Sequence, residues 1–365
     1  MRVRIFQALA IALGVAVSNC GVATAQDYYA DAATTSVQIS DYANPGVAAQ
    51  PTSYPGTTAA PAVTDDFDAR VRAIVNSEVE SQLKKGPQAF GKIQFGLYGF
   101  PQTDATLFPL ETGMTDPATQ AGFRRLRFGL KGDVNDNMKY KVEIDFSNGS
   151  ETRITDAWLG WKDLPNLQEL RLGNHTQPFG MESWGSSSHQ MFVERNLSNR
   201  AFNPGERRFG AIVLGHSQDQ AFNWQFGAFA GNGIAASGSS FGDNQEIQIV
   251  SRLASTVWYD EGSGGRGYAH AALSAAFGDH DPSVAHGGYA ARPSIRPRGT
   301  WYNTGPIADV EATQMLGVEG VVNVGKVQVW GAYHQAWAER VAANDLSFQG
   351  GHVSASYFIT GEHSP

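Results

Sequence analysis

The stretch Lys139-Tyr140-Lys141-Val142-Glu143-Ile144-Asp145-Phe146 splits completely into two faces, with Tyr140, Val142, Ile144 and Phe146 on one and four charges on the other. Side chains alternate with period two along a strand, so the segment reads as a β-strand that is apolar on one side and charged on the other. Just upstream, Arg125-Leu126-Arg127-Phe128-Gly129-Leu130-Lys131 sets Leu126, Phe128 and Leu130 against Arg125, Arg127 and Lys131. A half-buried strand in a soluble sandwich alternates in the same way, so the number of such strands decides the fold.

From residue 91 onward roughly a dozen strand segments follow: 92–100, 123–132, 138–147, 152–162, 168–175, 208–217, 221–230, 245–259, 267–278, 313–324, 326–337 and 347–360. Such lengths suit tilted strands crossing a bilayer, which need ~9–11 residues. The connections at 133–137, 147–150 and 323–326 are short and carry Asn, Asp and Gly, whereas 101–121, 176–206, 231–243 and 279–312 are long. Short turns at one rim and long loops at the other characterise outer-membrane barrels, and compact soluble domains seldom hold several long loops. Aromatic residues near strand ends, Trp158 with Trp161, Trp258 with Tyr259, Trp330 with Tyr333 and Tyr357 with Phe358, are expected to form interfacial girdles. The expected fold class is all-β, an antiparallel transmembrane β-barrel.

Composition agrees. Of 365 residues only 42% are apolar and 17% charged, while 41 are Gly, as in a barrel whose lipid face is diluted by a polar interior. Arg2 and Arg4, the apolar run 5–17 and Ala23-Thr24-Ala25 form a secretory signal over residues 1–25, too short to span a membrane as a helix. Cleavage after Ala25 would also remove Cys20. Residues 26–64, rich in Ala, Thr, Ser, Pro and Gly, read as a low-complexity flexible tether. Phe67, Val71, Ile74, Val75, Val79 and Leu83 recur at helical spacing, so 65–86 is expected to be a short amphipathic helix, packed on the barrel or paired as a coiled coil. The barrel then occupies 91–365.

The formal charge of −8 argues against nucleic acid as a partner. Nine histidines are scattered, and His189, His216, His270 and His334 show no triad spacing with Ser and an acid, so no enzyme is expected. Asp279-His280-Asp281 with His286 reads as a solvated loop rather than a cation site. No cofactor or metal is implied.

Beyond pattern, particular stretches carry a family likeness. Phe123-Arg124-Arg125-Leu126-Arg127-Phe128-Gly129-Leu130-Lys131-Gly132, Lys141 to Phe146, Asp156-Ala157-Trp158-Leu159, Leu172 to Glu182, Phe192-Val193-Glu194-Arg195 and Tyr357-Phe358-Ile359-Thr360-Gly361-Glu362 resemble the phosphate-selective porin O/P family over most of 91–362. The resemblance implies a homotrimeric outer-membrane barrel of about sixteen strands, with arginines and lysines guiding phosphate, polyphosphate or other small anions past outer-membrane lipid. Pore-lining and anion-binding roles then fall to Arg124, Arg125, Arg127, Lys131, Lys139 and Lys141, whose field a narrow lumen would focus. The inward-folded constriction loop would be 176–206, with Glu194, Arg195 and Arg200, and with Arg207 and Arg208 just beyond. Glu143 and Asp145 share the face of Lys139 and Lys141, so phosphate selectivity does not follow from charge alone. The family pattern continues past Glu362 with further strands, so a chain ending at His363-Ser364-Pro365 is expected to be C-terminally truncated. The alternative function is a barrel-anchored structural or adhesive surface protein without channel activity.

Overall fold

The structure, a computed structural model, describes residues 86–99, 119–148, 151–164, 167–187, 190–203, 207–231, 246–292, 300 and 302–360. The expected signal 1–25, tether 26–64 and nearly all of helix 65–86 lie outside the described residues, as does His189.

Every expected strand is present. They are β1 (Gln88–Gly99), β2 (Thr119–Asn135), β3 (Met138–Asn148), β4 (Glu151–Leu164), β5 (Leu167–Thr176), β6 (Arg207–His216), β7 (Phe222–Ala230), β8 (Ile247–Tyr259), β9 (Gly267–Asp279), β12 (Val310–Val324), β13 (Val327–Arg340) and β14 (Leu346–Tyr357). A two-residue pair, β10 (Ala290–Ala291) and β11 (Tyr302–Asn303), lies in the long connection between β9 and β12. The twelve long strands form one antiparallel sheet in chain order, with β1 and β14 each paired on one side only among the described residues. Because successive strands reverse, the long connections after β1, β5, β7 and β9 all leave from one rim. At the other rim Gly325, at φ 59°, lets β12 reverse into β13 through two residues.

Two short helices, α1 (Met181–Trp184) and α2 (Leu197–Ala201), sit in the connection after β5. Gly180, at φ 75°, turns the chain into α1. This connection fixes the curvature of the sheet. Ser187 Oγ accepts from Lys92 Nζ on β1 (2.7 Å), while Ser198 Oγ lies 2.8 Å from His352 Nδ1 on β14. Twelve flat strands would hold their ends roughly 50 Å apart at ~4.8 Å per strand. One loop reaches both ends only because the sheet curls around it, so the loop marks the concave face.

The convex face is apolar and open, with Ile93, Phe95, Leu97, Phe128, Leu130, Val142, Val318 and Val353 exposed, Phe95 and Val353 by 79% and 81%. A monomeric soluble protein rarely exposes so large an apolar patch, whereas a lipid-facing barrel wall requires it. The hydrophobic core lies inside. Phe179, Ala201 and Phe202 of the first inward loop pack with Ile212, Phe229, Val250, Met315, Ala336 and Ala338 of the wall and with Tyr289, Ala291 and Ile307 of the β9–β12 connection.

The girdle expectation needs correction. Residues one or three apart on a strand point to opposite faces, so the aromatic pairs divide. Trp258, Tyr333 and Tyr357 are exposed on the convex side, but Trp330 is buried against Phe192 on the concave side. Trp158 lies beneath Lys139 and Arg171, with their charged groups 5.9 and 4.6 Å from its ring centroid.

Candidate functional site

The concave faces of β1 to β6 hold the predicted basic residues together. Arg127, Lys139 and Lys141 project there by simple alternation, as expected, but Arg124 and Arg125 are sequence neighbours and should diverge. A bulge resolves this: Gln94 pairs with Arg125 and Phe95 with Phe123, leaving Arg124 as the extra residue. Both arginines therefore reach the inward loop, Arg124 pairing with Glu194 and Arg125 donating to Gln94 Oε1 (2.5 Å) and Val193 O (3.2 Å).

The stripe is ion-paired rather than bare. Arg127 bonds Asp145 (2.8 Å) and Glu143 (3.1 Å), Lys141 bonds Asp156 (2.8 Å), Lys139 bonds Glu169 (3.0 Å) and Arg171 pairs with Glu169. Arg207 takes the other oxygen of Asp156 (3.1 Å), and Arg200 takes Glu194 (2.9 Å). Glu143, Asp145, Asp156, Glu169 and Glu194 thus serve seven cations: Arg124, Arg127, Lys139, Lys141, Arg171, Arg200 and Arg207. Lys92 and Arg125 add positive charge while bonding neutral acceptors. Lys131 lies 6.0 Å from the Phe90 ring centroid, and the buried Nε of Arg208 has no hydrogen-bond partner among the described residues. Local charge is therefore positive on this face although the chain is negative overall.

Two carboxylates besides Glu194 hold the first inward loop in place. Glu182 of α1 accepts from Asn196 N (2.9 Å), Asn196 Nδ2 (2.6 Å) and Trp330 Nε1 (3.3 Å), with His352 Nε2 3.5 Å away. Burial pushes its carboxyl pKa up, but bonds from His352 and Asn196 outweigh that and hold it at about 2. Glu319 on β12 accepts from Met181 N and pairs with Arg252 on β8, both partners nearly buried. The described residues of the connection over 176–206 therefore lie across the concave face.

Sequence reasoning missed a second inward loop. After β9 the chain folds back on the concave side, bridging His286 to Ile307 and burying Tyr289 and Ala291 against Phe202. It brings Arg292 beside Arg195 and Arg200 around one cavity. The signal that could have found it is the basic run from Arg292 to Arg298 within a long connection. Among the described residues no group of three His, Cys, Asp or Glu is arranged to hold a metal ion. His280 of that loop instead contacts Glu246 and Thr313.

An uncharacterized protein of Caulobacter vibrioides is 26% identical over 299 residues, covering 79% of this chain and 58% of that protein. The chain thus spans little more than half the length of this relative. Among solved structures, an anion-selective porin from Comamonas acidovorans is 14% identical with a TM-score of 0.48, covering 75% of this chain and 74% of that one. A loop-deletion form of OmpT, an outer membrane protein of Vibrio cholerae, gives the same identity and TM-score over 75% of this chain and 77% of that one. The family model for phosphate-selective porins O and P matches residues 95–364, nearly the whole sheet with both inward loops. The chain belongs to the phosphate-selective porin O and P family of outer-membrane β-barrels.

Proposed function

We propose that the protein forms a water-filled outer-membrane channel for passive diffusion of small anions, phosphate among them. One observation carries the anion preference: five carboxylates on the β2–β6 wall and the first loop serve seven cations, and Lys92 and Arg125 add charge against neutral acceptors. In a narrow water-filled space between low-dielectric walls such an excess raises the local anion concentration. Arginine forks also match phosphate oxygens. The acids temper the field, so this wall favours anions in general more than phosphate in particular. Export by a cleaved signal over 1–25 and assembly as a homotrimer, as the family likeness implies, complete this reading.

Purified protein in planar bilayers under a KCl gradient tests it. A reversal potential on the chloride side, with phosphate blocking chloride current at low concentration, is expected. A cation-side potential would reject the anion preference, and indifference to phosphate would leave a general anion pore. The loops packed against the β6–β14 wall favour a second reading, a barrel-anchored structural or adhesive protein. Folded, heat-modifiable protein that gives no channels would select it.

A further inference from the structure

We infer that Arg208, His175 and Gln177 form a binding site for a small anion that carries its own O–H donor, as hydrogen phosphate and hydroxycarboxylates do. The inference rests on the anion-channel reading and gives that channel a means of choosing among anions that its ion-paired wall lacks.

The three residues meet where the charged wall gives way to the packed one. His175 on β5 stands directly opposite Arg208 on β6, and such cross-strand neighbours hold their Cβ atoms ~4.5–5.5 Å apart. Phe209 is exposed on the convex face, so Arg208 beside it points inward. Gln177, just past the end of β5, reaches across to Gln248 on β8, the cross-strand partner of Phe229. The Phe229 ring lies 5.2 Å from His175 and covers Gly210, where a Cβ would come within 2.6 Å of it. His175, Arg208 and Gln177 are thus gathered around one buried ring.

Their orphaned polar atoms set the chemistry. His175 and Gln177 are 2% and 1% exposed. His175 donates from Nδ1 to Thr176 O (3.1 Å), which leaves Nε2 as a bare acceptor with no partner among the described residues. Gln177 donates from Nε2 to Gln248 Oε1 (2.7 Å), and its own Oε1 accepts from no described group. Opposite His175, the buried Nε of Arg208 is a donor without a described acceptor. Glu246, whose charge reaches Arg208, is bonded to His280 instead (3.2 Å). Buried polar atoms in folded proteins are satisfied, so one donor on a cation beside two bare acceptors calls for a ligand of the complementary pattern. A fully deprotonated anion suits Arg208 but turns further lone pairs toward the two acceptors. An anion with an O–H group gives its charge to the guanidinium and its hydrogen to Nε2 or Oε1. A site built to bond a hydroxyl rejects the analogue without one, because its own polar groups are then left unpaired.

Titration calorimetry near neutral pH on the full chain folded in detergent tests the site with matched pairs of probes. Inorganic phosphate keeps a proton there and sulfate, of nearly the same shape, has none; glycolate and acetate make the same comparison for carboxylates. Phosphate over sulfate, glycolate over acetate, or both should be favoured by about tenfold or more, and the pair that differs identifies the source of the ligand. His175→Phe keeps a ring against Phe229 and removes one acceptor, so it should largely abolish that preference while sulfate and acetate bind as before. Arg208→Gln should weaken both members of the pair, with heat-modifiability confirming that both variants are folded. No preference in either pair, alongside a chloride-side reversal potential, would overturn this site and leave the channel reading intact. A cation-side reversal potential would overturn the reading on which the site rests. A preference unchanged in His175→Phe, or binding unchanged in Arg208→Gln, would also overturn it.

Discussion

The wall from β1 to β6 and the wall from β8 to β14 face the same interior with opposite chemistry. The first presents arginines and lysines with their acids. The second presents small and aromatic residues, Val250, Ala272, Ala276, Met315, Trp330, Ala336 and Ala338, on which the inward loops are packed. Its buried ion pair of Arg252 with Glu319 also anchors a loop. The difference shows how a barrel can be narrowed without losing a wet passage. Loops need an apolar wall to hold them by burial, and solutes need a charged wall that the loops leave partly open. Dividing the two tasks between opposite sides lets one loop be packed on one wall and electrostatically pinned to the other.

The strongest way to break the contrast is to empty the packed side. Phe202, 3% exposed, stacks on Tyr289 and His334, and Phe202→Ala should cost the inward loops about 3–5 kcal/mol of packing. Trypsin should then cut the folded protein faster at Arg195 and Arg200, and single-channel conductance should rise. If neither changes, burial against the β8–β14 wall is not what holds the loops.

Next in size is the seam between the walls. Glu194, whose side chain is 3% exposed, ties Arg200 of its own loop to Arg124 of β2. Glu194→Gln should cost about 1–3 kcal/mol, because both arginines retain some access to water at 22% and 15% exposure. Faster tryptic cutting together with a more anion-selective reversal potential is expected. An unchanged potential would mean that Glu194 is not among the charges solutes encounter.

A smaller effect sharpens the charged side alone. Arg125 bonds Gln94 and Val193 O, so Arg125→Gln removes a positive charge without stranding an acid. An anion passing at ~4 Å in water loses about 1 kcal/mol of attraction, about a fivefold fall in its occupancy, and the anion-to-cation ratio should fall. An unchanged ratio would remove Arg125 from the solute path.

How much of this was legible in the sequence follows the same division. The twelve strands were, because period-two alternation is a local property that lipid and water both enforce along segments such as Lys139 to Phe146. Residues whose position depends on register were not. Asp156 bridges Lys141 and Arg207 from β4, two partners on different strands, and only pairing shows it. Arg124 reaches the interior through a bulge that alternation forbids. Trp330 looked like a girdle residue until its strand parity placed it under Phe192. The first inward loop came from a family resemblance. The second, with Arg292, had no periodic signal at all, since its burial depends on Phe202 and Phe348 arriving from elsewhere in the chain.

The smallest expected effect lies in that second loop, where the packed wall carries its own titratable groups. His286 lies with its ring centroid 4.9 Å from His280 and 5.8 Å from Tyr289, and its Nδ1 accepts from Gly288 N (3.1 Å). Glu246 faces this cluster through His280 Nδ1 (3.2 Å) and also lies in the field of Arg208. Burial, then the neighbouring His280, push the His286 pKa below its ordinary value, with Glu246 opposing. Burial also pushes the Tyr289 hydroxyl up to about 12, so it stays neutral throughout. The sign follows from linkage: a released loop takes up the proton more readily than the packed one, so packing is fully present above about pH 6.5 and weakens as pH falls below it. A proton on Nδ1 also abolishes the bond from Gly288, which the packed turn cannot replace. Hydrogen exchange at the amides of 284–291 should therefore be faster at pH 5.5 than at pH 7.5, after correction for the intrinsic rate, with the β2–β3 hairpin unchanged. His286→Gln, which keeps an acceptor but cannot charge in this range, should flatten that dependence. If exchange in the loop were slower at pH 5.5, protonation would be tightening the packed wall through Glu246, and the charge balance drawn between the two walls would have to be reversed at this rim.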